Sequence, residues 1–130
     1  MQRIPTAPTA ALPLHDTAAT RHIEHSAAAA LPPHTLMRRA GAAVAQLARA
    51  LAPHARRVWI ACGPGNNGGD GLEAAALLRT QGLDVQVTWL GTPDQAPEDA
   101  RAAWQRAQAA GVHWSAEPPR LGTQDLCIDA

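Results

Sequence analysis

The sequence predicts an α/β fold built on a parallel sheet, and three observations carry that prediction. Short apolar runs alternate with helical segments of roughly a dozen residues from about residue 58 onward, the pattern of βαβ units. A glycine-rich stretch, GPGNNGGDG at 63–71, stands between the first apolar run and the helical segment that follows it. The last run, Leu126-Cys127-Ile128, is continuously apolar, as strands buried in a parallel sheet are.

The elements follow in order. Residues 1–15 are rich in proline, threonine and alanine and are predicted to be a disordered tail, with one domain over 16–130. DTAATRHIEHSAAAAL reads as a helix with Asp16 or Thr17 as N-cap and Pro32-Pro33 as its stop. A second helix opens at Thr35. Its apolar positions Leu36, Met37, Ala40, Val44, Leu47 and Leu51 have helical spacing, and Pro53 ends it. Strand one is 58–62, and a helix over 69–81 closes at Gly82. Strand two is 84–90, with Val85, Val87 and Trp89 on one face. A helix over 97–110 closes at Gly111, and short strands are expected at 112–114 and 125–130. The four tryptophans read as packing between helices and sheet.

Right-handed crossovers in a doubly wound sheet commonly give the order 3-2-1-4. The connection over 115–124 is too short and proline-rich for a full helix. It need only cross ~15 Å, three strand spacings, and ten extended residues reach ~30 Å. That order puts the C-terminal ends of strands one and four on either lip of the switch-point crevice, where open α/β sheets bind ligands. The glycine stretch is on one lip and Asp129 on the other.

Composition excludes several classes. Eleven basic and eleven acidic residues cancel, which leaves no electrostatic footprint for nucleic acid or a membrane surface. All the basic residues are arginine, so a Walker A lysine and Schiff-base chemistry are excluded. Cys62 and Cys127, each in an apolar run, read as buried free thiols of a reducing cytoplasm. His22 and His25 stand three apart without the Cys, Asp or Glu companions of a zinc set. The N-terminus lacks the apolar core of a signal peptide, and no run approaches the ~18 residues of a membrane span. The expectation is a soluble cytoplasmic protein.

Residues 63–68 match G-x-G-x-x-G between a strand and a helix, which raises an NAD(P)-dependent oxidoreductase as one reading. Against it, strand two ends Trp89-Leu90-Gly91-Thr92 without the acidic residue that would hold a ribose. Asn66, Asn67 and Asp70 also crowd the phosphate position with side-chain oxygens. Asp70 as a helix N-cap and the asparagines as turn residues are the structural alternative. The stronger reading is that the stretch presents amide oxygens and bare backbone to a polar ligand, with Asn67 and Asp129 sharing either a hard cation or a ligand group.

GPGNNGGDG, followed by LEAAALLRTQGLDVQV, with LMRRAGAAVAQLARAL upstream and DLCIDA downstream, resembles the YjeF N-terminal domain, the NAD(P)H-hydrate epimerase family. The resemblance runs from about Asp16 to Ala130. It implies a Rossmann-like three-layer α/β/α sandwich, often dimeric, that interconverts the R and S epimers of hydrated NADH and NADPH. It further implies that Asn66, Asn67, Gly68, Gly69 and Asp70 contact the substrate and that Asn67 and Asp129 bind potassium. A fused or partner dehydratase that removes the added water is implied too. By the same resemblance the main candidate for the catalytic acid or base lies on a later strand, beyond Ala130, so the domain is expected to be truncated after its fourth strand. No residue of this chain is assigned that role. A binding or scaffold module of the same fold is the alternative implied by relatives known for partner interactions.

Overall fold

The computed structural model describes residues 13–130. Most of the tail expected at 1–15 lies outside those residues. The chain divides into two units, 1–33 and 34–130. In the first, α1 (Thr17–Ala29) is capped by Asp16, whose Oδ1 accepts the Ala19 N–H at 2.7 Å, and the helix has no buried residue.

The second unit is built from α2 (Thr35–Leu51), β1 (Arg57–Cys62), α3 (Asn66–Thr80), β2 (Asp84–Trp89), α4 (Glu98–Ala109), β3 (His113–Trp114) and β4 (Leu126–Asp129). Its four strands are parallel, in the order β3-β2-β1-β4, with Val58 opposite Val85 and Leu126. The order expected from crossover handedness is the order observed, and 115–125 crosses to β4 without a helix.

Strand alternation divides the sheet's two faces. Val58, Ile60, Cys62, Val85 and Val87 are fully buried in one cluster with Leu72 and Leu78 of α3, Met37 and Ala45 of α2, and Ala103 and Ala107 of α4. The helices therefore cover that face. α3 is central to their layer, packing on both α2 and α4 as well as on β1 and β2. Trp59, Ala61, Gln86, Thr88, Cys127 and Asp129 alternate with the buried set and belong to the opposite face. There the Trp59 Nε1–H donates to Thr88 Oγ1 at 3.1 Å.

Two expectations are corrected here. β4 is not buried on both sides: Leu126 and Ile128 are half-buried against the core while Cys127 is exposed, so only Cys62 is a buried thiol. The packing face of α2 is Met37, Gly41, Ala45 and Ala48; of the predicted stripe Met37 is buried and Val44 packs against the core, but Leu47 and Leu51 are 47% and 74% exposed. Close approach is the reason. A Cβ at Gly41 would overlap the Cβ of Glu73, so the small residues of α2 are the ones that admit α3.

Candidate binding turn at the C-terminal edge of the sheet

The site is built where β1 gives way to α3. Three hydrogen bonds fix the end of β1. The Gly63 N–H donates to the Ala130 carbonyl at 2.6 Å, the Ala130 N–H to the Ala61 carbonyl at 2.9 Å, and the Leu90 N–H to the Cys62 carbonyl at 2.9 Å. The ladders on both sides of β1 thus extend to its last residue, and Gly63 sits between the ends of β2 and β4. The Trp89 Nε1–H donates to the Gly63 carbonyl at 3.0 Å.

The helix was expected from 69; it begins at Asn66. Asparagine and glycine are weak helix formers, so local propensity places the start too late. Tertiary packing overrides it. A Cβ on Gly68 would run into the backbone of Gly63, and one on Gly69 would lie 2.7 Å from Met37 Cε and 3.0 Å from Ala100 Cα. One on Gly71 would lie 2.7 Å from Ala130 Cβ and 2.9 Å from Cys62 Sγ. Gly68, Gly69 and Gly71 are all buried. These glycines bring the first two turns of α3 against β1, β4, α2 and α4, and the close approach is their reason for being glycine.

This corrects the sequence reading at two points. The asparagines are helical, not turn residues, and Asp70 is the fifth residue of α3, half-buried, so it is not the N-cap. Gly65 is the N-cap, in extended conformation and without a side-chain cap bond. The first bond linking α3 to its cap is from the Gly69 N–H to the Gly65 carbonyl at 3.1 Å. Among the described residues the Asn66, Asn67 and Gly68 N–H groups have no partner. Helix starts leave such donors unpaired, and they carry partial positive charge.

Of the sequence-predicted site residues, Asn66 and Asn67 are exposed in that first turn, and Gly68 and Gly69 are buried beneath it. Asp129 is exposed at the end of β4, paired in register with Ala61, two residues before Gly63. Parallel pairing puts the turn and Asp129 at the same edge of the sheet, with amide oxygens on one element and a carboxylate on the next. Among the described residues no cluster of three His, Cys, Asp or Glu side chains forms.

Three features around the turn were not singled out from sequence. Glu73, one turn after Asp70, is 4% exposed and pairs with Arg106 of α4. At the start of α2, His34 has φ 63°, a left-handed conformation rare outside glycine, and its Nδ1 meets the Asp99 carboxylate at the start of α4. Trp89, stacked on Trp104 at 6.3 Å between ring centroids, reaches the Gly63 carbonyl. A tryptophan closing β2 beside a glycine stretch was the signal available for the last. Below the turn, burial pushes the Cys62 thiol up to about 12 from its usual 9.0, leaving it protonated and inert.

The family model for the YjeF-related protein N-terminus matches residues 33–130. The NAD(P)H-hydrate epimerase of Bordetella pertussis (strain Tohama I) is 48% identical over 84 residues, 65% of this chain and 37% of that protein. That of Rhodobacter capsulatus is 43% identical over 103 residues, 73% of this chain and 49% of its own length. The bifunctional NAD(P)H-hydrate repair enzyme Nnr of Escherichia coli is 36% identical over 104 residues, 75% of this chain and 19% of that enzyme. The crystal structure of yeast ynu0 superposes with a TM-score of 0.56 at 23% identity, over 73% of this chain and 44% of that one, a likeness of fold. The chain spans less than half the length of these relatives.

Proposed function

The chain belongs to the family of YjeF-related protein N-termini, and we propose that it acts in the epimerisation of hydrated NADH and NADPH, binding the damaged cofactor at the turn that opens α3. The reading is carried by its 43 to 48% identity to proteins named NAD(P)H-hydrate epimerase. The unpaired donors and exposed amides of that turn, at the switch point of the sheet, support it.

In this reading the N–H groups of Asn66, Asn67 and Gly68 and the asparagine amides hold polar groups of the substrate, and Asp70 flanks them. Gly68 and Gly69 act as floor, bringing backbone close to the ligand. Asn67 and Asp129 offer an amide oxygen and a carboxylate, hard donors of the kind an alkali cation takes, and they are the residues that would hold potassium. The ion would supply fixed positive charge at the site. Loss and return of water at the ring carbon calls for a proton donor and acceptor, and neither role is assigned to a residue of this chain.

A homodimer and a cytoplasmic setting belong to the same proposal. The first draws on Leu47 and Leu51, exposed on α2, and the second on two free cysteines. No helix among the described residues is long and apolar enough to cross a membrane. The bifunctional relative from E. coli supports a fused or partnering dehydratase.

The test supplies an excess of S-specific dehydratase to a mixture of NADH-hydrate epimers and follows recovery of NADH absorbance from the R form. It is run with potassium, using the chain alone and the chain extended past Ala130. Conversion above the spontaneous rate, lost when sodium replaces potassium, is the expected result. The spontaneous rate in both preparations would overturn the reading.

A further inference from the structure

We propose that Trp89 is the positioning residue of the binding turn: its indole N–H, held by the stack behind it, fixes the Gly63 carbonyl on which the start of α3 rests. The inference deepens the reading of this turn as the substrate site and rests on it for the kinetic part alone.

Trp89 is the last residue of β2, paired in register with Cys62, the last residue of β1. In dinucleotide-binding sheets a ribose-holding carboxylate stands in this neighbourhood. Here a half-buried indole takes the place and turns its one polar atom to the turn, 3.0 Å from the Gly63 carbonyl oxygen. That carbonyl is the atom a Cβ on Gly68 would strike, so the position of Gly63 sets how closely the first turn of α3 can seat. Gly63 is also the residue whose N–H holds Ala130, next to Asp129. A shift at Gly63 therefore moves both lips of the crevice.

The indole has little freedom. Trp104 of α4 stacks on it at 6.3 Å and 28° between planes, and Trp114 of β3 leans on it at 6.4 Å. From the other direction the chain closes over the ring: a Cβ on Gly91 would lie 2.6 Å from Trp89 Nε1 and Cε2. An aromatic cluster explains burial of the ring but not the direction of its N–H. Trp104, in the same cluster, makes no such bond among the described residues. Only one tryptophan of the stack addresses the turn.

The test uses two variants, Trp89→Phe and Trp104→Phe, each losing an indole from the stack, while only the first loses the bond to Gly63. Amide hydrogen exchange is read at Gly63 and Gly69, whose N–H groups bond Ala130 and Gly65. Ser115 and Arg101, bonded to Val87 and Pro97, report on the β2–β3 pair and on α4. Trp89→Phe is expected to speed exchange at Gly63 and Gly69 about fivefold relative to Ser115 and Arg101, the net worth of one hydrogen bond. Trp104→Phe is expected to leave that ratio unchanged. In the epimer assay Trp89→Phe should raise KM with kcat held within about twofold, the mark of a displaced binding surface. An unchanged exchange ratio in Trp89→Phe, or the same rise in both variants, would overturn the proposal, because packing alone would then explain the ring. If the parent protein converts no R epimer, the proposed function falls, while the exchange ratios still decide the role of Trp89.

Discussion

The two faces of the sheet come from the same strands and are put to opposite uses, as the two cysteines show. Cys62 on the helix side is 1% exposed, with its thiol pushed up to about 12, while Cys127, on the other face, is exposed beside Asp129. The helix side is packed through small residues, Gly41 and Ala45 of α2, Gly68, Gly69 and Gly71 of α3, Ala100 and Ala103 of α4. The edge where that packing ends keeps its polar groups outward, in Asn66, Asn67 and Asp129. The glycines therefore serve packing while the asparagines stay exposed, free for the ligand of the proposed reading, although they are adjacent in sequence.

The largest effect that could break this contrast is at the glycines. Gly68→Val is expected to lower stability by about 3 kcal/mol or more, because the obstacle is the Gly63 backbone, which cannot rotate aside. Gly65→Ala, with nothing within 4 Å of the added carbon, should cost only about 1 kcal/mol, the N-cap preference for glycine over alanine. Equal losses in denaturant titrations would mean that the glycines serve conformation and not contact.

Next is the buried pair. Arg106→Met strands the Glu73 carboxylate at 4% exposure and is expected to cost about 3 kcal/mol. Glu73→Met leaves Arg106, whose side chain is 32% exposed, able to turn to water, and should cost about 1 kcal/mol. The reverse order would show that α3 and α4 are held by shape and not by the pair.

A further effect is confined to alkaline pH. The folded thiol of Cys62 titrates above its unfolded value, so its contribution to stability is whole below pH 9 and is lost as pH rises toward about 12. The parent should lose about 1.4 kcal/mol per pH unit across that window, and Cys62→Ala should lack this slope. The smallest perturbation is labelling. Native protein should take one equivalent of a thiol reagent, at Cys127, with Cys62 modified on the order of a hundredfold more slowly. Equal rates would place both cysteines on the open side.

Much of this was legible in the sequence. The order 3-2-1-4 followed from crossover handedness and the length of one loop, both local readings. The start of α3 was not, because it is set by contacts from Met37, Ala100 and Ala130, far away in sequence, that outweigh the poor propensity of Asn-Asn-Gly-Gly. The face of α2 was legible at Met37 and Val44 but not at Leu47 and Leu51, because hydrophobic spacing favours large side chains, whereas a central helix packed this closely is met by Gly41 and Ala45. Cys127 was placed inside because a continuous apolar run does not reveal which face of the sheet the neighbouring helices cover. Asn67 and Asp129 were placed at one edge from topology alone, and that edge is where both are found.

The most direct test of the division between packing glycines and ligand-facing asparagines is made on Asn67→Ala, in the preparation that converts the R epimer, with melting temperature and conversion rate measured on the same sample. The expected result is a melting temperature within about 2 °C of the parent, as for an exposed side chain, and conversion at the spontaneous rate. Conversion at the parent rate would contradict the account, since the exposed face of the turn would then not be where the substrate is held.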